Sequence, residues 1–461
     1  MLNSFCRRAV AVCLLAAAWY TVTAETACAA EEETDTGLVQ MVVELIKDAD
    51  RDMHALGLQQ VREELPGEAV TRQLVDLLPE LPPERRAGLI EALGERGDRA
   101  AREAAVEMAR AGEEVVRAAA LRALGRLGDA SHIELLASKA ASGSDQERAA
   151  ARESLQRLGG QGIDEAMIAA AKEAEAPVRV ELLAALAARN VRAAMPVVLD
   201  NVRAGEPEVR QAALDALRYL AEPSQIETVV ELIKELPAGP EQTKATLVLL
   251  ALSSRDGAAC APAIAAGLEG AAPTARIALL HGLARAGGPE ALEAVSARLE
   301  DEDAAVRDEA VRILARWPDP AAAETLRRLA AHRGNLRWHV LALRGLVRLA
   351  QPDPSQPANL KLVAEALQLA ARPEEKRLVL AAAATVPSPE ALSLVLPLVD
   401  DEGLSEEAAL AAVLIAEKMK KADQPQLQAA MKKVISTAKN SETIRRAKKV
   451  LAVGKPAGPS P

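Results

Sequence analysis

Aromatic side chains are nearly absent from this 461-residue chain. They make up 1% of it: Phe5, Trp19, Tyr20, Tyr219, Trp317 and Trp338. Strands favour aromatic and β-branched residues, so the shortage argues against a sandwich or barrel. Cysteine is scarce too. Cys6, Cys13 and Cys28 sit near the N-terminus, and Cys260 stands alone in the body. A single thiol makes no internal disulfide, so stability must come from packing. Cys260, in "GAACAPAIAAGL", reads as a small buried hydrophobe rather than a nucleophile. The sequence has no zinc-helix motif, phosphate loop or serine elbow. Past the first thirty residues or so, no stretch reads as apolar enough to cross a membrane.

What is present is alanine, leucine and valine, within a half-apolar composition. Residues of that size suit closely packed helices. At the N-terminus Arg7 and Arg8 precede an apolar run from Ala9 to Tyr20, too short to span a bilayer. Small residues follow in "VTA" and "ACA". Residues 1–29 therefore read as a signal peptide. That reading predicts an exported protein, periplasmic or extracellular. Lipoprotein anchoring at Cys28 is the disfavoured variant, because Glu25 stands where an apolar residue belongs.

An internal repeat dominates the rest. "VRAAALRALGRLGD" opens at Val116, and similar stretches place Arg86, Arg117, Arg148, Arg179 and Arg210 at steps of 31 residues. Arg276 and Arg307 continue the series after a degenerate place near Lys244, and His339 follows one residue late. Relative to the arginine, apolar residues recur at +4, +7 and often +10, as in Leu121, Leu124 and Leu127. That spacing marks one face of a helix. A Gly, Asp or Pro turn follows, then a second amphipathic stretch such as Ile226, Val229, Val230 and Ile233. A helix pair of this size cannot bury both its stripes alone, so neighbouring pairs must stack.

The Val–Arg pair, the following A-L-x-x-L and the acidic turn before it, as in "LEDEDAAVRDEA", resemble the HEAT-repeat family. The likeness is closest to the short HEAT-like repeats of the phycobilisome-lyase type. It covers about 81–350 well, and 38–80 and 372–453 loosely. The implied fold is all-α: a right-handed α-solenoid of antiparallel helix pairs, in roughly ten units. The expected organisation is capping helices at 30–80 and the main array at 81–350. A Pro-rich loop at 351–358, further units with a basic cap at 359–453, and a tail at 454–461 follow. Some HEAT-like proteins are di-iron hydroxylases built on His–Glu dipeptides. None of His54, His132, His281, His332 and His339 is followed by Glu, so neither that activity nor a metal carries over.

Arg86, Arg117, Arg148, Arg179, Arg210, Arg276 and Arg307 read as a structural ladder: stems over apolar surface, guanidinium groups on neighbouring turns. Charge gives the other candidate surface. The formal net charge is −10, yet the stretch from Lys418 to Lys449 holds ten basic residues against Asp423 and Glu442. Lys420, Lys421, Lys432, Lys433, Arg445, Arg446, Lys448 and Lys449 form a candidate contact patch for an acidic envelope surface. Asp48, Asp50 and Asp52 have calcium-loop spacing, but Met53 and Gln59 stand where Gly and Glu are needed, so the acids read as helix caps. By phase, Trp317 and Trp338 belong to the core, while Tyr219 falls one place outside it. The sequence thus predicts a non-catalytic protein-binding scaffold or adaptor without cofactor. Its partners would be proteins and not nucleic acid, met on a concave face. An enzyme or enzyme accessory and a structural envelope component are the alternatives.

Overall fold

The computed structural model describes residues 37–63, 65, 67–351, 359–419 and 424–453. Among these residues all regular structure is helical and no strand occurs. The chain divides into two compact units, Met1–Ala221 and Glu222–Pro461.

The first unit holds α1 (37–47), α2 (Arg51–Glu63), α3 (Glu68–Leu77), α4 (Pro83–Arg96), α5 (Arg102–Ala111) and α6 (Glu114–Leu127). It continues with α7 (Ile133–Ser142), α8 (Asp145–Arg157), α9 (Ile163–Glu173), α10 (Ala176–Ala188), α11 (Met195–Asn201) and α12 (Pro207–Leu220). Local sequence fixes the helix starts. Ser144 and Glu147 form a reciprocal capping box at α8. Asp50 accepts from the N–H groups of Asp52 and Met53, and Asp48 accepts from that of Asp50. Proline sits in the first turn of α4, α10 and α12, where its missing N–H costs nothing.

Even-numbered helices stack on one another, α2 on α4, then α6, α8, α10 and α12. Their closest approach explains the small residues. Gly94 of α4 lies against Ala123 of α6, and a Cβ on Gly94 would come within 2.6 Å of Ala123 Cα. One repeat later, Gly125 lies against Ser154, whose hydroxyl donates to Leu121 O at 2.7 Å. The contact sits eight residues past the repeat arginine on one helix and six past it on the next. Bulky side chains there would push the backbones apart. Leu121, Leu124 and Leu127 fill the space beside this seam and are buried. Burying each such side chain is worth about 1.5–3 kcal/mol.

The second unit holds α13 (Ile226–Glu235), α14 (Pro240–Asp256), α15 (Ala261–Gly267), α16 (Pro273–Ala286), α17 (Gly288–Ala297), α18 (Ala304–Ala315) and α19 (Ala323–Ala331). It ends with α20 (Leu336–Ala350), α21 (Leu360–Leu369), α22 (Pro373–Ala383), α23 (Pro389–Val395), α24 (Ser405–Lys418), α25 (Gln424–Thr437) and α26 (Ser441–Val453). The even-numbered helices stack here as well, from α14 to α26. Gly345 of α20 meets Ala315 of α18 as Gly125 meets Ser154. Paired this way, the described helices make six hairpins in the first unit and seven in the second. That exceeds the roughly ten units read from the sequence, because the weakly patterned ends also fold as hairpins.

Two other sequence expectations change. Trp338 is only half-buried, not core; its indole N–H donates to Asp308 Oδ1 at 2.7 Å. Trp317, 2% exposed, does sit in the core. The residues from Pro240 to Gly267 form 28 residues of helix with a mean hydropathy of 1.3 over 18 of them, so one later stretch is apolar enough by length and composition. It is broken near Gly257 into α14 and α15, and Val248, Leu249, Leu252 and Ile264 are buried.

Candidate functional site

The repeat arginine is the fourth residue after the N-cap. Its N–H closes the first turn: Arg117 to Glu113 O and Arg148 to Ser144 O at 2.8 Å, Arg307 to Asp303 O at 3.1 Å. Side chains on a helix lean toward its N-terminus, so the guanidinium falls on the carbonyls that end the preceding helix. Arg117 donates to Gly112 O at 2.7 Å, and Arg148 to Gly143 O at 3.2 Å. Arg179 Nη2 donates to Ala174 O at 2.7 Å. Arg210 donates to Ala204 O and Gly205 O, and Arg307 to Asp301 O and Glu302 O, all within 2.9 Å. Arg86 reaches Leu78 O and Leu81 O. Last-turn carbonyls lack partners within their own helix, and the arginine supplies them.

Several of these arginines also reach forward one repeat. Arg86 pairs with Glu113, and Arg117 with Glu147, which is 4% exposed. Burial pushes the Glu147 carboxyl up, but bonds from Arg117 and the Ser144 N–H hold it below the usual range. Arg276 differs. It is itself buried and spends both Nη groups on Asp301 and Glu302, at 2.8 to 2.9 Å. Where the series skips, Gln242 makes the equivalent contact, donating to Ile233 O at 3.2 Å and Leu236 O at 3.1 Å. Lys244 lies two residues further along the helix, off that phase. His339 Nδ1 lies 2.6 Å from Ala330 O, and Nε2 lies 3.3 Å from the Glu375 carboxylate.

Among the described C-terminal cations, three carry acidic partners. Lys433 pairs with Asp400 at 2.7 Å, Arg445 with Glu442 at 2.8 Å, and Arg446 with Glu417 at 2.5 Å. Lys432, Lys448 and Lys449 are exposed, while Lys420 and Lys421 lie outside the described residues. The sequence showed the cations but not that Asp400 and Glu417 of the preceding hairpin would face Lys433 and Arg446.

Among the described residues, no group of three or more His, Cys, Asp or Glu side chains is placed to hold a metal ion. The open faces are grooves. Over α10 and α12 lies a cavity of about 640 Å³ walled by Ala184, Ala188, Ala212 and Ala216. Tyr219, 64% exposed, stands at its edge with the Arg218 guanidinium 6.0 Å from the ring centroid. A second cavity of about 710 Å³ opens over α18 and α20.

The profile of HEAT repeats matches residues 71–156 and 261–344. HEAT repeats thus occupy two stretches of this chain. No curated protein sequence matches it. Among solved structures it resembles Kap121p, with 12% identity, covering 91% of this chain and 53% of that one, at a TM-score of 0.51. It also resembles Kap121p bound to Nup53p, with 13% identity over 90% of this chain and 53% of that one, at a TM-score of 0.50. The karyopherin Kap121p bound to the SUMO protease Ulp1p matches at 13% identity, over 91% and 53%, at a TM-score of 0.49. This chain spans about half the length of these structures, and the likeness concerns the fold. The expectation of an exported, periplasmic or extracellular protein is corrected here. The likeness to Kap121p points away from export. Residues 1–29, including Cys28, were its sole basis, and they lie outside the described residues.

Proposed function

We propose that this chain is a non-catalytic protein-binding scaffold or adaptor, working through the exposed faces of its stacked even-numbered helices. The observation that carries this reading is the groove over α10 and α12. An exposed aromatic beside an alanine-walled trough is a shape that receives a side chain or helix edge from another protein. The fold supports it: a solved HEAT-type relative, Kap121p, is bound to Nup53p. In this reading the arginine series is internal structure, since its guanidinium groups are engaged by turn carbonyls and acids. Lys432, Lys448 and Lys449 remain as exposed cations for an acidic protein partner.

The test is affinity capture from extracts with the tagged full chain, beside Tyr219→Ala and Ala184→Arg forms. A partner captured in stoichiometric amount by the wild type, and lost with either variant at unchanged thermal unfolding, supports the proposal. Equal capture by all three forms, or none by any, overturns it.

A further inference from the structure

The cavity of about 710 Å³ over α18 and α20 has a composition at odds with an acidic chain. Arg312, Arg316, Arg337, Arg344 and Arg372 stand around it. Three of them are neutralised: Arg312 by Glu309, Arg337 by Asp308 and Arg372 by Glu375. Arg316 and Arg344 are exposed and have no acidic partner among the described residues. Between the cations lies aliphatic surface from Ala315, Leu336, Val340 and Leu341, with Leu336 55% exposed. No Asp or Glu occurs anywhere in α20.

We propose that this cavity is a docking site for a carboxylate-rich peptide segment of a partner protein, with an aliphatic side chain of that segment seated on Leu336 and Val340. The inference rests on the scaffold reading and gives it a partner chemistry. Charge complementarity selects the occupant: two guanidinium groups without counter-ions can each take a carboxylate in paired hydrogen bonds. Helix spacing sets the order of contacts. Leu336, Val340 and Arg344 are four residues apart and share one face of α20, with Arg337 beside them. Arg312 and Arg316 form a similar pair across the groove. A ligand here therefore meets cations on both walls and apolar surface between. A free anion or a nucleic-acid backbone would use the walls and leave the floor idle. The volume falls within the range of formed ligand sites.

The experiment is fluorescence anisotropy with the full chain and a labelled Leu-Glu-Glu-Leu-Asp-Glu peptide. Its counterpart carries lysine for every acid, and inorganic polyphosphate is the competitor. The acidic peptide should bind and weaken as salt rises. The Arg316→Ala/Arg344→Ala form should lose about tenfold in affinity, and Leu336→Ser should also lose affinity while keeping the same circular dichroism. The lysine peptide should not bind. No binding of the acidic peptide overturns the inference, as does binding that the double variant leaves unchanged. Polyphosphate displacing the peptide, together with full affinity in Leu336→Ser, overturns it in favour of a general anion surface. Failure of the capture experiment with peptide binding intact would remove the scaffold reading alone.

Discussion

Arg117 ties its own hairpin shut and reaches the next one. Its Nη1 donates to Gly112 O at 2.7 Å, and its Nε donates to the buried Glu147 carboxylate thirty residues on. Arg117→Ala removes both bonds and leaves Glu147 with Lys139, 3.8 Å away, and the Ser144 N–H. Losing a charge-assisted hydrogen bond to a buried carboxylate costs about 1.5–3 kcal/mol. Urea denaturation should show a loss near that size, and Arg117→Lys should recover only part of it, since an ammonium cannot span both acceptors. An unchanged midpoint for Arg117→Ala would mean the contact carries no stability.

Gly94 lies in the last turn of α4, where alanine is still favoured over glycine by up to about 1 kcal/mol. The Cβ of Gly94→Ala would come within 2.6 Å of the Ala123 backbone. Overpacking of that kind costs about 1–3 kcal/mol, so the net effect should be destabilising. Gly88, in the same helix, faces only the mobile end of Leu58 and His54. Gly88→Ala should be neutral or stabilising. Thermal melts of the two variants, side by side, check the sign.

Burial would raise the Glu375 carboxyl, but bonds from the Arg372 and Ala371 N–H groups, the Arg372 side chain and His339 bring it down to about 2. An unfolded glutamate titrates near about 4.3. Because the folded value is the lower one, its contribution is fully present above the unfolded value and is lost as pH falls toward about 2. Stability measured from pH 6 downward should drop through that window. Glu375→Gln should begin lower and show a shallower drop.

Cys260 is 1% exposed, and burial together with Asp256 raises its thiol. Thiolate is the reactive form. A thiol reagent, followed by mass spectrometry of the peptide carrying Cys260, should show labelling only once denaturant unfolds the second unit. Rapid labelling in buffer would contradict the burial of Cys260.

The repeat was legible because its two signals reinforce each other. The 31-residue step locates the hairpins, and the +4, +7, +10 stripe gives the face that Leu121, Leu124 and Leu127 bury. Trp338 had the right phase and still left the core. Its indole N–H needs an acceptor when covered, and Asp308 supplies one at the edge. Gln242 escaped notice because an amide replaces a guanidinium there, and only the carbonyls it meets reveal the equivalence. The arginine cavity was hidden for a different reason. Its cations come from three repeats and from positions outside the ladder. What matters there is which of them lack acids, a property of pairing in space.

The pairs Lys433–Asp400 and Arg446–Glu417 fasten the last two helices onto the hairpin before them, at partly exposed positions. Bonds of that kind weaken as electrolyte accumulates, while the alanine seams deeper in the second unit are indifferent to it. Brine would thus loosen this array from its C-terminal end, and amide exchange in α25 and α26 would quicken before any other part of that unit responds.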